Sequence, residues 1–321
     1  MLRTILSLLC CIPLMAGAPA HAQYPDKPVR IIVPFGAGGG ADAAARVLAR
    51  GLQNDFGRTV LVENRPGGNT VIGANAAAKS AADGYTLLFT SGSTVSVLPH
   101  IMKSLPFDPR KDLVPVGKVA KLPFLLLVQE SLGVNTLQEF VAKAKAAPGQ
   151  FTYASAGSGT GAHLGFELLK KDAKIEVTHV PYKTTSEALP DLLSGRVTSM
   201  MADPATAQRA LERGTVKVIA VTTKERTATF PKVSSIAEQG YSDFDVEIWF
   251  GVFVPKGTPE PVMARLNQSL TTFMRSNEGK AEYATLGYTP DPTTGKDLED
   301  LVQRESVLWS SLAKTGALKI E

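Results

Sequence analysis

Two short runs carry the residue types best suited to holding an anion: Gly36-Ala37-Gly38-Gly39-Gly40 and Gly157-Ser158-Gly159-Thr160-Gly161. Glycine lets backbone N–H groups face a ligand with no side chain in the way. Where such a run opens a helix, the free N–H groups and the positive end of the helix dipole favour a negative group. The same glycines also serve a plain tight turn between a strand and a helix, and for one run taken singly both readings stand. Two matching runs in one chain point to a ligand held between them. His163 stands just behind the second run, and Asp203 precedes Pro204. An Asp before Pro suits a helix N-cap; at the carboxyl end of a strand it equally suits a ligand contact.

Enzyme templates compete for these residues. Gly36-x-Gly38-x-x-Ala41 with Glu63 downstream has the spacing of a dinucleotide fingerprint, so a nicotinamide-binding oxidoreductase is one alternative. A phosphate-binding P-loop is excluded, because neither run ends in Gly-Lys-Ser/Thr. The nucleophile elbow G-x-S-x-G also fails, since Ala156 stands two residues before Ser158 and Ser91 two before Ser93. A triad of Ser158, His163 and Asp203 keeps a secreted serine hydrolase as the other alternative. His100, His163 and His179 show no metal-ligand spacing, so no metal and no cofactor are expected.

The surrounding pattern says which elements position the runs. Val29–Pro34 reads as a buried strand, Ala41–Leu52 as an amphipathic helix and Thr59–Glu63 as the next strand. Thr70–Ser80 follows as an Ala-rich helix and Tyr85–Thr90 as a third strand. The same order recurs later: strand Phe151–Ser155, glycine run, helix His163–Lys171, strand Glu176–Val180. Further strands are expected at Leu122–Gln129, Val197–Met201, Val216–Thr222 and Val246–Val254. Asn135 reads as the N-cap of a helix over Thr136–Ala147. Helices are also expected at Ser186–Leu193, Pro204–Arg213, Pro259–Arg275 and Lys296–Ala313. Strands alternating with helices imply parallel α/β sheets.

Composition bounds the remaining classes. Hydrophobic residues are 44% and charged residues 20% of 321, which excludes a disordered chain and a multi-span membrane protein. Lys and Arg number 34 against 30 Asp and Glu, with no basic stripe beside aromatics, so nucleic acid is not an expected partner. Met1–Ala22 reads as a secretory signal peptide: Arg3, the apolar run Ile5–Met15, and an A-x-A pattern at Ala20-His21-Ala22. Both cysteines, Cys10 and Cys11, fall inside it. The mature chain from Gln23 then has none, which excludes disulfides, Cys-bound zinc and a Cys nucleophile.

Several motifs in order resemble one family. They are Pro34–Asp42, Val62-Glu63-Asn64-Arg65-Pro66-Gly67-Gly68, Asp83-Gly84-Tyr85-Thr86-Leu87, Tyr153–Leu164, Val180-Pro181-Tyr182-Lys183 and Val254–Pro259. Together they are similar to the Bug/TctC family, the extracytoplasmic receptors of tripartite tricarboxylate transporters. The resemblance implies a two-lobed periplasmic-binding-protein (Venus flytrap) fold of α/β class, each lobe a mainly parallel sheet flanked by helices. It implies lobe one over 23–121 plus 245–321 and lobe two over 122–244. It further implies a monomeric, non-enzymatic receptor in the periplasm, which captures a small carboxylate and delivers it to integral-membrane transporter subunits.

Carried over by position, Phe35, Ala37, Gly38, Gly39, Asp42, Thr90 and Ser91 would line the site from lobe one. Ser155, Gly159, Thr160, His163 and Asp203 would face them from lobe two. The chain departs from the family pattern at Thr184, Thr185, Glu187-Ala188, Thr198 and Ala202, along one side of the expected pocket.

Overall fold

The computed structural model describes residues 24–102, 104–227 and 229–314. The signal-peptide assignment to 1–22 lies outside them. In chain order the elements are β1 (Val29–Val33), α1 (Gly40–Phe56), β2 (Val60–Asn64), α2 (Val71–Ala78), β3 (Thr86–Ser91), α3 (Leu98–Ile101), α4 (Pro109–Asp112), β4 (Leu113–Pro123) and β5 (Leu125–Gln129). There follow α5 (Leu137–Ala146), β6 (Phe151–Ser155), α6 (Gly161–Ala173), β7 (Val177–Pro181), α7 (Thr185–Ser194), β8 (Ser199–Ala202), α8 (Pro204–Leu211) and β9 (Val216–Val221). The last are β10 (Glu247–Pro255), α9 (Glu260–Arg275), α10 (Asn277–Thr285), β11 (Thr289–Pro290) and α11 (Gly295–Lys314).

Two sheets result, one per lobe. The first has the order β11-β4-β10-β3-β1-β2 and the second β7-β6-β8-β5-β9. In the first, β1, β2 and β3 pair in parallel, while β10 runs against both β3 and β4. In the second, β6 pairs in parallel with β7 and β8, and β5 runs against β8 and β9. Most strands of each sheet therefore share one direction; β10 and the short edge strand β11 are reversed in the first, and β5 in the second. β4 leads into β5 through Phe124, so the chain passes between the sheets there, and it returns before β10.

Each sheet is covered on both faces, as near-continuous apolar strands require. Ile31 and Ile32 show the alternation. Ile31 joins the core formed with Leu48, Leu52, Leu270 and Phe273, whereas Ile32 joins that formed with Ala74, Ala77, Phe107 and Leu298. In the second sheet Leu126 and Val128 face Phe140 and Phe166, and Leu125 and Leu127 face Ala188 and Ala207.

Two local expectations change, and a long strand appears where none was expected. The helix after Val134 is capped by Thr136, whose Oγ accepts from Glu139 N (3.2 Å), while Glu139 Oε2 accepts from Asn135 N (2.6 Å). The pair resembles a capping box, with Glu139 reaching back one residue further to the N–H before the cap, and it moves the cap one residue past Asn135. The apolar run Leu122–Gln129 is split, because Pro123 ends β4 and Phe124 turns the chain into the other sheet. β4 itself, 11 residues long between β10 and β11, carries Pro115 and Gly117, which hide its alternation.

Candidate ligand-binding site

Each sheet has its order reversal beside the strand that feeds a glycine run. β1 lies between β2 and β3, reached over opposite faces by α1 and α2. β6 lies between β7 and β8 in the same way. Open α/β sheets bind ligands outside the carboxyl ends of strands at such points. Here the two points face each other across a cavity of about 90 Å³. On this measure a single water needs only ~10–15 Å³.

Four helix starts line this cavity. Gly39, Gly40 and Ala41 bring the start of α1, Thr160, Gly161 and Ala162 that of α6, Thr184 and Thr185 that of α7, and Ala202 and Asp203 that of α8. They differ in how their first N–H groups are used. Thr184 Oγ accepts from Glu187 N (3.1 Å), and Asp203 Oδ1 accepts from Thr206 N (3.0 Å), so α7 and α8 carry their own caps. α1 starts at Gly39, which has no side chain. α6 starts at Thr160, whose hydroxyl instead donates to Gly157 O (2.7 Å). The two glycine helices are therefore the ones whose N–H groups no side chain caps, which suits them to an external anion.

The rest of the lining is mostly apolar: Phe35, Leu122, Phe124, Met201, Ile248 and Phe250. Lys183 and Asp203 are its charged side chains. Lys183 is exposed, and no arginine lines the cavity. Tyr288 also lines it, its hydroxyl buried beside the Asp203 carboxylate without a hydrogen bond of ordinary geometry. Burial, and then Asp203, push its pKa far up, so it stays a neutral phenol.

Of the expected site residues, Phe35, Gly39, Ser91, Thr160 and Asp203 line the cavity. The others stand behind it or outside it. Ala37 and Gly38 are exposed on the outer edge of the first run. Asp42 is buried and holds that run, accepting from Gly38 N (2.9 Å) and Arg46 Nε (3.1 Å). Burial opposes its charge, but Arg46, Gly38 N–H and Asn64 together keep its pKa below the ordinary carboxylate value. Thr90 bonds Thr94 Oγ (2.7 Å) inside the first lobe. Ser155 bonds His179 Nε2 (2.7 Å) and Gly157, and His163 Nδ1 accepts from Gly159 N (3.1 Å).

His163 and His179 lie against each other beneath the second run, ring centres 4.3 Å apart and tilted by 38°, and Tyr153 stacks on both. Burial lowers the pKa of both. For His179 burial and the neighbouring His163 bring it to about 4. The cavity also takes residues that sequence reasoning did not place there: Gly36, Gly40, Ser93, Ala156 and Tyr288. Gly36 and Gly40 sit inside the recognised run, but Tyr288 comes from near the far end of the chain and carries no local signal.

The geometry bears on the enzyme alternatives. No hydrogen bond among the described residues joins Ser158 to His163, or His163 to Asp203. His163 Nδ1 is engaged by Gly159 and Asp203 by Thr206. Glu63, the acidic residue of the dinucleotide spacing, is paired with Arg30 (3.3 Å) and Arg65 (2.5 Å).

Comparison with known proteins bears on identity. The sequence profile of the tripartite tricarboxylate transporter family receptor, TctC, matches residues 44–318. The chain belongs to this family. Protein BugT of Bordetella pertussis is 35% identical to this receptor over 307 residues, covering 95% of this chain and 94% of its own. The structure of periplasmic binding protein BugD superposes with a TM-score of 0.87 at 30% identity, covering 93% of this chain and all of that one. An R. palustris protein solved with adipate gives 0.89 at 31%, covering 92% and 99%. MatC from Rhodopseudomonas palustris, solved with malate, gives 0.84 at 30%, covering 90% and 100%. The receptor shares their two-lobed fold. Among its described residues no helix is long and apolar enough to cross a membrane, and no three acidic, His or Cys side chains are grouped to hold a metal.

Proposed function

We propose that this receptor works in the periplasm, capturing a small carboxylate between its two glycine loops and delivering it to a tripartite membrane transporter. The observation that carries the reading is the pair of uncapped helix starts, α1 and α6, facing one cavity from opposite lobes. Oriented N–H groups there replace the water a carboxylate loses on binding, so no arginine clamp is needed. The related receptors solved with adipate and with malate support a carboxylate as the ligand class. The signal pattern of residues 1–22 supports export.

The working unit is a monomer with lobe one over 23–121 plus 245–321 and lobe two over 122–244. Bound ligand touches both lobes and so favours the closed state, which the membrane partner reads. The protein performs no chemistry on its ligand. A thermal-shift screen of mono-, di- and tricarboxylates and amino acids, followed by calorimetry, tests this. At least one carboxylate should raise the melting temperature. Stabilisation by no anion, together with turnover of an ester or amide, overturns it.

A further inference from the structure

We propose that Arg209 is a closure latch, a positioning residue that holds the first glycine loop against the second lobe when the two lobes close. The proposal rests on the two-lobed receptor reading above. Arg209 lies on α8 of the second lobe, and its Nη1 donates to the Gly38 carbonyl of the first (3.0 Å). Its Nη2 donates to Thr206 Oγ (3.1 Å), and that hydroxyl donates to Asp203 Oδ2 (2.8 Å). Asp203 is part of the cavity wall. An unbroken chain of hydrogen bonds therefore runs from the ligand cavity to the outer edge of the opposite loop.

Gly38 is suited to be the receiving end. It adopts a left-handed backbone (φ 75°), so its N–H and C=O point to different partners. Its N–H goes to Asp42 of its own lobe (2.9 Å) and its carbonyl to Arg209 of the other. Arg209 makes no ion pair with a carboxylate among the described residues; within its own lobe its head group is held by the hydroxyl of Thr206 alone. The bond to Gly38 exists only when the lobes meet, and an interaction made in one of two states biases the equilibrium towards that state. Beside it, Tyr288 of the first lobe lies against the Asp203 carboxylate of the second without a hydrogen bond of ordinary geometry, and the remaining cross-lobe contacts around the loops are steric. Thr184 packs its methyl group on Gly36, and Asn69 lies against Gly157.

The chain from Gln23 onward contains no cysteine, so spin labels at Asn54→Cys and Lys145→Cys, both exposed and one in each lobe, report closure. Pulsed electron paramagnetic resonance gives the closed-to-open ratio without ligand and with saturating malate or adipate. Stopped-flow binding gives the rates. A charged hydrogen bond at an exposed guanidinium corresponds to roughly a three- to tenfold effect. Arg209→Ala should lower the closed-to-open ratio by that factor and raise the dissociation rate equally, with the association rate unchanged. Arg209→Lys should fall between, and Arg213→Ala should match the parent. A ratio and dissociation rate within twofold of the parent overturn the latch. So does a loss confined to association, or a lower melting temperature of the open, ligand-free form, which marks a role inside one lobe. If neither malate nor adipate binds the parent, the carboxylate reading falls for these ligands, and the ligand-free ratio alone decides for or against the latch.

Discussion

The two glycine runs occupy matching places in two sheets, yet opposite chemistry holds them. The first sits at an exposed edge and is fixed by charge. Asp42 takes the Gly38 N–H and is itself paired with Arg46, and Arg209 reaches across to the Gly38 carbonyl. The second is buried and fixed by neutral groups. His163 takes the Gly159 N–H, Ser155 takes that of Gly157, and Thr160 closes on the Gly157 carbonyl. A buried loop cannot easily hold a lone carboxylate, because desolvation penalises the charge. A neutral imidazole accepts the same hydrogen bond at lower cost. The backbone problem is thus solved twice: Asp42 is as buried as His163 (4% and 5% exposed), and it is the pairing with Arg46 that keeps a charge in place at the first run.

The comparison can be broken most forcefully by adding a methyl group to each run. A Cβ at Gly40 would overlap the buried Tyr288 hydroxyl and press on Asp203 of the other lobe. A Cβ at Gly161 would meet the tips of Ile248 and Phe124, which can shift more readily. Overpacking costs ~1–3 kcal/mol. Gly40→Ala should weaken carboxylate binding by about 100-fold and Gly161→Ala by about tenfold, as read by calorimetry. The reverse order would show that the second loop is the more rigid.

Acid should separate the loops next. The folded-state pKa of His179 is about 4, below its unfolded value of 6.5, and that of His163 is lowered as well. Their neutral forms contribute stability that is fully present above pH 6.5 and lost as pH falls towards 4. Asp42 is lowered from 3.8, so its contribution lasts to still lower pH. In an NMR titration the Gly159 amide, bonded to His163, should begin to shift only below pH 6.5, while the Gly38 amide, bonded to Asp42, should hold until below pH 3.8. Simultaneous movement of both amides would remove the distinction.

Cutting the charged support gives a smaller effect. Asp42→Ala leaves Gly38 N–H and Arg46 without their partner and should cost ~1–2 kcal/mol, or about 2–5 °C of melting temperature by calorimetry. Asp42→Asn, which keeps an acceptor, should lose less than half of that. Smallest of all is Ser158→Ala, which gives the second run the small residue that Ala37 provides in the first. Ser158 makes no hydrogen bond among the described residues, so affinity should stay within about twofold. Loss of an ester- or amide-cleaving activity in this variant would instead revive the hydrolase alternative.

The strand–glycine–helix units were legible because their signals are local. Val29–Pro34 and Phe151–Ser155 are short apolar runs, the glycines follow at once, and the helices show their periodicity. Elements whose signal is interrupted were not legible. β4 contains Pro115 and Gly117, and its place between β10 and β11 depends on partners more than a hundred residues away. In the site, family position pointed to His163, Ser155 and Asp42 as lining residues, but they stand behind the backbone they support. A side chain next to a loop in sequence can face either side of it, and only packing decides which.

By itself the sequence determined two α/β units with glycine runs at their helix starts, a mature chain without cysteine if residues 1–22 are removed, and a charge balance that fits no nucleic-acid surface. These follow from residue type and short-range spacing, which act before any tertiary contact forms. Only the tertiary structure decided that four helix starts meet at one cavity, that α7 and α8 are capped while α1 and α6 are not, and that Tyr288 and Arg209 belong to the same assembly. Those facts depend on which distant side chain reaches an N–H or carbonyl first, and that competition is settled by packing across two sheets.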